Sequence, residues 1–207
     1  MSKTGLPPRP LCQSKQINEE FPLALGTSRG SFLEIELRNG ANIARIRIGS
    51  ETGLEFQEPD HYLLHKGSLL VSHREKMVWN LGRSDHPIQV TGAGTWMMEC
   101  LTSGIKVILL EGKVWIGNSA ETQMLSSGDL VLLDSTNPKG SKPIKVDLPL
   151  LLGTSRLING FPAKLPSNSR LFSAAQVQAL KLKKKYDALV GDVTEEKKLQ
   201  LWTVPKK

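Results

Sequence analysis

Leu33-Glu34-Ile35-Glu36-Leu37-Arg38-Asn39-Gly40-Ala41-Asn42-Ile43-Ala44-Arg45-Ile46-Arg47-Ile48 is the stretch that decides the fold class. Leu33, Ile35 and Leu37 alternate with Glu34, Glu36 and Arg38, the period of two that puts one strand face in a core and the other outside it. Asn39-Gly40 follows, and both central positions of the tightest hairpin turn need the positive φ that Asn and Gly tolerate. The return segment sets Ala44, Ile46 and Ile48 against Arg45 and Arg47. A two-residue loop at Asn39-Gly40 pairs Glu34 with Arg45, on the same face as Glu36 and Arg47. Charge and apolar pattern agree on a hairpin.

Outward from this hairpin the pattern stays β. Short strands are predicted over 54–57, 68–72, 77–81, 88–91, 95–101, 106–111, 113–116, 123–125 and 129–134, with Gly punctuation between them. Many short strands with regular turns predict a sandwich or a β-solenoid. The segments Gly67-Ser-Leu-Leu-Val71, Gly112-Lys-Val-Trp-Ile116 and Gly128-Asp-Leu-Val-Leu132 look alike, each a glycine corner leading into a strand. The first thirty residues read as irregular, because Pro7, Pro8 and Pro10 oppose both helix and ladder bonding.

The β pattern stops at Ser135. Asp147 is placed to cap a short helix over 148–158, with Pro149 tolerated in its first turn. Pro162 and Pro166 mark a linker. Ser173-Ala-Ala-Gln176 reads as a capping box opening a helix of about 18 residues that Gly191 stops. Ala175, Ala179, Leu182, Tyr186 and Leu189 line one side of it at helical spacing. The resulting division is an irregular segment over 1–30, a β domain over 31–160, and a linker with a basic helical tail over 161–207.

The formal charge is +7, and it is uneven. Residues 141–207 hold 13 Lys+Arg against 5 Asp+Glu, which leaves 14 against 15 for residues 1–140. Lys181, Lys183, Lys184 and Lys185, with Tyr186, are therefore the candidate partner-binding residues. A protein partner or a second subunit is expected there. An anionic surface is a further option, and nucleic acid is not the expected partner.

Chemistry-bearing constellations are sparse. His61 and His65 stand four apart, but in a strand that spacing separates them by about 13 Å, so no metal is expected. Cys12 and Cys100 form no CxxC pair, and sequence alone does not bring them together. Gly26-Thr-Ser-Arg-Gly30 and Gly92-Ala-Gly94 lack the lysine and strand–helix context of a phosphate loop. No GxSxG elbow occurs. Neither a catalytic residue nor a cofactor is predicted, and the expectation is a non-enzyme. Trp79, Trp96 and Trp115 read as core or sheet-edge packing, with a stacking platform for sugar or single-stranded nucleic acid as the alternative. No apolar stretch reaches the length of a membrane helix. The Pro-rich residues 1–14 hold no signal-peptide core, a feature of a cytoplasmic chain and equally of a processed one.

Three ordered motifs resemble the FecR-like domain. They are Thr91-Gly-Ala-Gly94-Thr95-Trp-Met-Met-Glu-Cys100, then Ile105-Lys-Val-Ile-Leu-Leu-Glu111-Gly112-Lys-Val-Trp-Ile116, then Leu125-Ser-Ser-Gly128-Asp-Leu130. Leu37-Arg-Asn-Gly40 and Lys66-Gly67-Ser-Leu-Leu-Val71 look like that domain's first strands. Val146-Asp-Leu148 and Thr154-Ser-Arg-Leu-Ile158 look like the tail of stand-alone bacterial members. The resemblance covers residues 30–160. Gly40, Gly67, Gly94, Thr95, Glu111, Gly112 and Gly128 carry it, and they read as fold-making residues. It implies a periplasmic or secreted β domain that works in protein interaction, assembly or signal sensing. A stand-alone exported protein is expected ahead of a transmembrane regulator, and a small-ligand-binding β-barrel is the remaining alternative.

Overall fold

A computed structural model of the chain describes residues 21–39, 42–58, 61–83, 86–118, 121–134, 137, 140–182 and 188–189. The chain is mainly antiparallel β with a C-terminal helical layer. Strands β1 (Leu23–Gly26), β2 (Leu33–Asn39), β3 (Asn42–Ile48) and β4 (Gly53–Glu58) come first. Three long strands follow, β5 (His61–Arg83), β6 (His86–Cys100) and β7 (Ile105–Gly117). Then come β8 (Thr122–Ser126), β9 (Asp129–Leu133), β10 (Ile144–Val146) and, after the helices, β11 (Ala188–Leu189). All belong to one sheet that does not close. Successive strands pair antiparallel as in a meander, whereas a solenoid stacks parallel coils.

The long strands correct the expectation of many short ones. Segments 68–72 and 77–81 are parts of β5, 88–91 and 95–101 belong to β6 except its last residue, and 106–111 and 113–116 join in β7. What looked like breaks are bends. Pairing between β5 and β6 shifts between His73 and Met77, and pairing between β6 and β7 shifts between Thr95 and Trp96. Such bulges bend a strand without ending it. Gly67 and Gly112 thus lie inside strands, and only Gly128 sits in a turn, between β8 and β9. At the second bend Gly94 and Gly112 face each other across the ladder. A Cβ on Gly112, whose φ is +98°, would meet the Ala93 carbonyl oxygen at 2.3 Å and Gly94 Cα at 2.7 Å. Only glycine fits there.

The bends fold the sheet over a core. Ile46, Ile48, Leu69, Trp96, Val107 and Val131 from one half meet Trp79, Val90, Val114, Ile116 and Leu125 from the other. The opening hairpin supplies Ala44, Ile46 and Ile48 to this core, with Leu33, Ile35 and Leu37 packed against it. Its register differs from expectation by two residues. Glu34 lies opposite Arg47, and Glu36 opposite Arg45. Because the shift is even, every side chain keeps its face. The gain is direct ion pairing. Arg45 reaches Glu36 at 2.9 Å and Arg47 reaches Glu34 at 2.7 Å, whereas the expected register sets Glu36 opposite Ile43. Hydrogen bonds from Arg45 and then Arg38 hold the Glu36 carboxyl below its ordinary range. Gly40, at the turn, lies outside the described residues.

The N-terminal segment also contains a strand, where none was expected. Leu23–Gly26 pairs with β4, and Leu25 is buried. Helices α1 (Leu148–Thr154), α2 (Arg156–Asn159) and α3 (Asn168–Leu182) lie on the sheet's outer face. The Asp147 side chain caps α1 through the Leu150 N–H, as expected. Ser155 is extended and splits the expected single helix into α1 and α2. Leu148, Leu152, Leu157, Leu165, Leu171 and Ala175 pack on Leu70, Ile108, Leu110, Leu130 and Leu132 in a second core. The expected boundary at 160/161 therefore falls inside one packing unit, with Leu157 and Leu165 on either side of it.

Helix α3 starts at Asn168, five residues before the expected capping box, and the Ser173 hydroxyl bonds the Ser169 carbonyl inside it. Its buried side is Leu171, Ala175 and Gln178, and Ala179 is exposed. The expected stripe through Leu189 fails because Ala188–Leu189 is a strand, paired parallel with Lys145–Val146. That pairing satisfies backbone groups on the edge of β10, which an exposed edge would leave open.

Candidate functional site

Four of the seven residues that carry the family resemblance, Gly94, Thr95, Glu111 and Gly112, meet at the second bend, while Gly67 pairs with Cys100 and Gly128 lies in the turn before β9. Thr95 lies opposite Glu111, beside the Gly94–Gly112 pair. The Thr95 hydroxyl donates to Glu111 Oε1 at 2.8 Å and lies 2.8 Å from Ser167 Oγ. Ser72 Oγ is 3.0 Å from Thr95 Oγ1 and 2.9 Å from Ser167 Oγ. Arg170 of α3 bonds the Glu111 carboxylate through Nε (3.2 Å) and Nη2 (3.0 Å). Ser72, Thr95, Glu111 and Ser167 are all buried. A buried carboxylate is tolerable when it is paired and hydrogen-bonded in this way. The cluster fastens the start of α3 to the bend.

A second fastening was read from sequence as an exposed strand charge. Arg47 is 0% exposed. Its Nη1 donates to the Leu157 and Ile158 carbonyls at 3.1 and 2.7 Å, and its Nη2 donates to the Ala163 carbonyl. The guanidinium also lies 4.4 Å from the Phe161 ring centroid. Helix α2 supplies the first two of these carbonyls and the loop after it supplies the third. No local pattern in the sequence identifies acceptors more than a hundred residues away. Ser72 and Ser167 stand 95 residues apart and Arg170 stands 59 from Glu111, so no local pattern pairs them either.

Ser72 and His73 are adjacent, yet successive strand residues point to opposite faces. Ser72 faces the helices. His73 faces the inner core, where its ring centroid is 5.6 Å from that of Trp79. Its Nδ1 pairs with the Glu75 carbonyl at 2.9 Å, and its Nε2 is buried without a partner. Burial pushes its pKa below the ordinary value, against smaller opposing effects of the Glu75 backbone and Glu111. This hydroxyl, imidazole and carboxylate thus lie on two sides of one sheet and form no relay. His65 bonds Glu55 at 3.0 Å on the surface. Among the described residues no group of three or more His, Cys, Asp or Glu is placed to hold a metal, and no helix is long and apolar enough to cross a membrane. The Cys100 thiol donates to the His65 carbonyl at 3.5 Å, and Cys12 lies outside the described residues.

Two surfaces remain open. Between α1 and α3 runs an apolar groove of about 390 Å³, lined by Pro149, Leu152, Gly153, Phe172, Ala175 and Ala179 among others. Phe172 of this lining is 57% exposed, and Leu150 of α1 and Val177 and Leu180 of α3 are exposed as well, Leu180 at 66%. Lys181 is exposed in the last turn of α3. Lys183, Lys184, Lys185 and Tyr186 lie outside the described residues. The second surface is on the sheet. Trp79 and Trp96 are core residues, but Trp115 is 43% exposed.

The arrangement defines an antiparallel β domain with a folded, open sheet and a helical layer fastened to its outer face. No family model matches the chain, and no curated protein matches it. Similar solved structures exist at low identity. One is a candidate anti-sigma factor from Parabacteroides distasonis ATCC 8503 determined at 2.50 Å, with TM-score 0.48 and 12% identity over 88% of this chain and 99% of that one. Another, a candidate anti-sigma factor from the same organism at 1.65 Å, has TM-score 0.44 and 14% identity over 57% of this chain. The matched region spans 58% of that structure's length. The resemblance to the FecR-like domain rests on its motifs.

Proposed function

We propose that the chain is a non-enzymatic interaction domain of the cell envelope, which docks a protein partner or a second copy of itself on the outer flank of α1 and α3. The observation that carries this reading is the apolar groove between α1 and α3 with exposed Phe172 in its lining, together with the exposure of Leu150, Val177 and Leu180 on the same two helices. Soluble chains rarely leave apolar side chains clustered in water unless a contact covers them. Lys181 at the end of α3 supplies a cationic border of the kind that steers encounter. The motif residues support the reading indirectly, since Thr95, Glu111, Gly94 and Gly112 are taken up in holding the fold. The resemblance of the motifs to the FecR-like domain is what supports the reading of a periplasmic or secreted location.

A photo-reactive amino acid placed at Phe172 or at Leu180 tests this in cells producing the full chain. Both positions are expected to give a discrete protein adduct, while exposed Arg29 in the loop between β1 and β2 gives none. Absence of adducts at both helix positions, together with a monomer in sedimentation, overturns the reading. Envelope fractionation tests the compartment separately.

A further inference from the structure

Part of the outer sheet face carries no described helix. The registers set Val78 opposite Thr91, Thr91 opposite Trp115 and Trp115 opposite Met124. These four residues therefore form one row across β5, β6, β7 and β8. Val78, Trp115 and Met124 are 44%, 43% and 48% exposed. The alternate residues Trp79, Val90, Val114 and Leu125 are buried, which fixes the direction of the row as outward. On one side of it lies a row of Asn80, Gln89, Gly117 and Thr122. Gln89 Nε2 donates to Asn80 Oδ1 there at 3.2 Å. On the other side lie Ala93, Lys113 and Ser126. With strands about 4.8 Å apart and like-facing residues about 7 Å apart, the platform measures about 14 Å each way. No residue of the three rows is acidic. Lys113 is exposed, and the bordering bulge residues Arg74, Glu75 and Lys76 add a net positive charge.

We infer that this platform binds an acidic polysaccharide, with one pyranose ring stacked on Trp115 and a carboxylate held by Lys113. The face of an indole is electron-rich and the axial C–H edge of a sugar is electron-poor, so the two attract in the offset geometry aromatic faces prefer. Among the described residues no helix covers this row, which leaves such a ring room to lie on the indole. Around it stand neutral hydrogen-bonding groups suited to hydroxyls: the Asn80–Gln89 amide pair, which keeps free donor and acceptor sites, and the hydroxyls of Thr91, Thr122 and Ser126. Lys113 is the charged residue of the three rows, and it is complementary to a carboxylate. A protein contact would want a broad apolar centre of several packed side chains, whereas Val78, Trp115 and Met124 stand in a single file, interrupted by Thr91 and flanked on both sides by polar rows. Single-stranded nucleic acid would want several aromatic faces along a basic groove.

The test is affinity electrophoresis of the full chain through gels containing polygalacturonate, with dextran as the neutral comparison and an oligo(dT) strand as the competitor. Retardation by polygalacturonate is expected, weaker retardation by dextran, and none of it displaced by oligo(dT). The chain's net positive charge attracts any polyanion, so the variants decide. Trp115→Ala, verified as folded by circular dichroism, is expected to weaken the apparent affinity at least tenfold. Lys113→Gln is expected to weaken it severalfold and to flatten its salt dependence. Val177→Glu with Leu180→Glu, on the helical surface, should leave it unchanged. Retardation of Trp115→Ala equal to that of the parent overturns the inference, as does the absence of retardation by polygalacturonate. Preferential binding of oligo(dT) that Trp115→Ala abolishes overturns the ligand class. Should Trp115→Ala not fold, Lys113→Glu replaces it, and an affinity unchanged by that charge reversal is equally fatal.

Discussion

Arg47→Met removes five donors and keeps most of the apolar stem. In the native chain the guanidinium bonds Glu34 Oε2 at 2.7 Å, the carbonyls of Leu157, Ile158 and Ala163, and stacks on Phe161. Removing one partner of a buried charged pair costs about 3–5 kcal/mol, mostly because the remaining groups stay unpaired. Glu34 is 24% exposed and can partly rehydrate, and Arg45 lies 3.7 Å from it. The expected loss is therefore near the lower end, about 3 kcal/mol. For a chain of this size each kcal/mol moves Tm by about 2–4 °C, so a drop of about 6–12 °C is expected. Urea unfolding followed by circular dichroism measures the free energy directly, and limited proteolysis should find new cleavage between 157 and 163. Arg47→Lys should recover less than half of the loss, because a point charge cannot reach the carboxylate and three carbonyls together. A loss under about 1 kcal/mol for Arg47→Met, with native proteolysis, refutes the assignment of Arg47 as a fastening of the helical layer.

Arg170→Ala should destabilise by about 1–2 kcal/mol in the same assay, a value reduced because the Arg170 side chain is 37% exposed and water can reach the Glu111 carboxylate. A change below about 0.5 kcal/mol would place no weight on that pair. His73 is buried neutral, with its folded pKa depressed by desolvation. Its contribution is complete above the unfolded value of about 6.5 and declines as pH falls through the window down to the folded pKa, with a limiting slope of about 1.4 kcal/mol per pH unit. Urea unfolding between pH 7.5 and 5 checks this, and His73→Gln should flatten that part of the profile. Gly112→Ala should cost about 2–4 kcal/mol, since the backbone is at φ +98° and the Cβ would strike β6. A neutral result would mean the bend can relax.

The sequence reported local structure well and distant contacts poorly. The hairpin faces were legible because alternation survives an even register shift. The Asp147 cap was legible because its partner is three residues away. Gly94, Thr95, Glu111 and Gly112 were singled out as fold-making, and they meet across one ladder at the bend. The long strands were not legible, because a bulge and a break leave the same glycine signature. Arg47 looked like a solvated charge because alternation says which face a residue is on, not what covers that face. The helical layer covers it. For α3 the capping box was misleading: Ser167, one residue before the true start, is committed to Thr95 and Ser72, and those partners lie far away in the chain.

These contacts also settle where specificity can reside. The residues most characteristic of the family-like motifs are consumed internally. Thr95 and Glu111 hold Ser167 and Arg170, and Gly94 and Gly112 allow two strands to cross closely. Substituting them disturbs the attachment of α3, so it would alter any contact made through that helix without any of them touching a partner. The two proposed contact surfaces lie elsewhere, on the exposed arc of α3 and in the Trp115 row. The two surfaces share one support. Glu111, bound to Arg170 of α3, is two residues from Lys113 and four from Trp115 on β7. A ligand that stiffens the end of β7 therefore bears on the same strand that anchors the helix. A double-mutant cycle of Trp115→Ala with Arg170→Ala, read as urea stability with and without polygalacturonate, measures that link. Coupling that appears only with the polysaccharide present means the strand transmits it, and strict additivity in both conditions means the surfaces act separately.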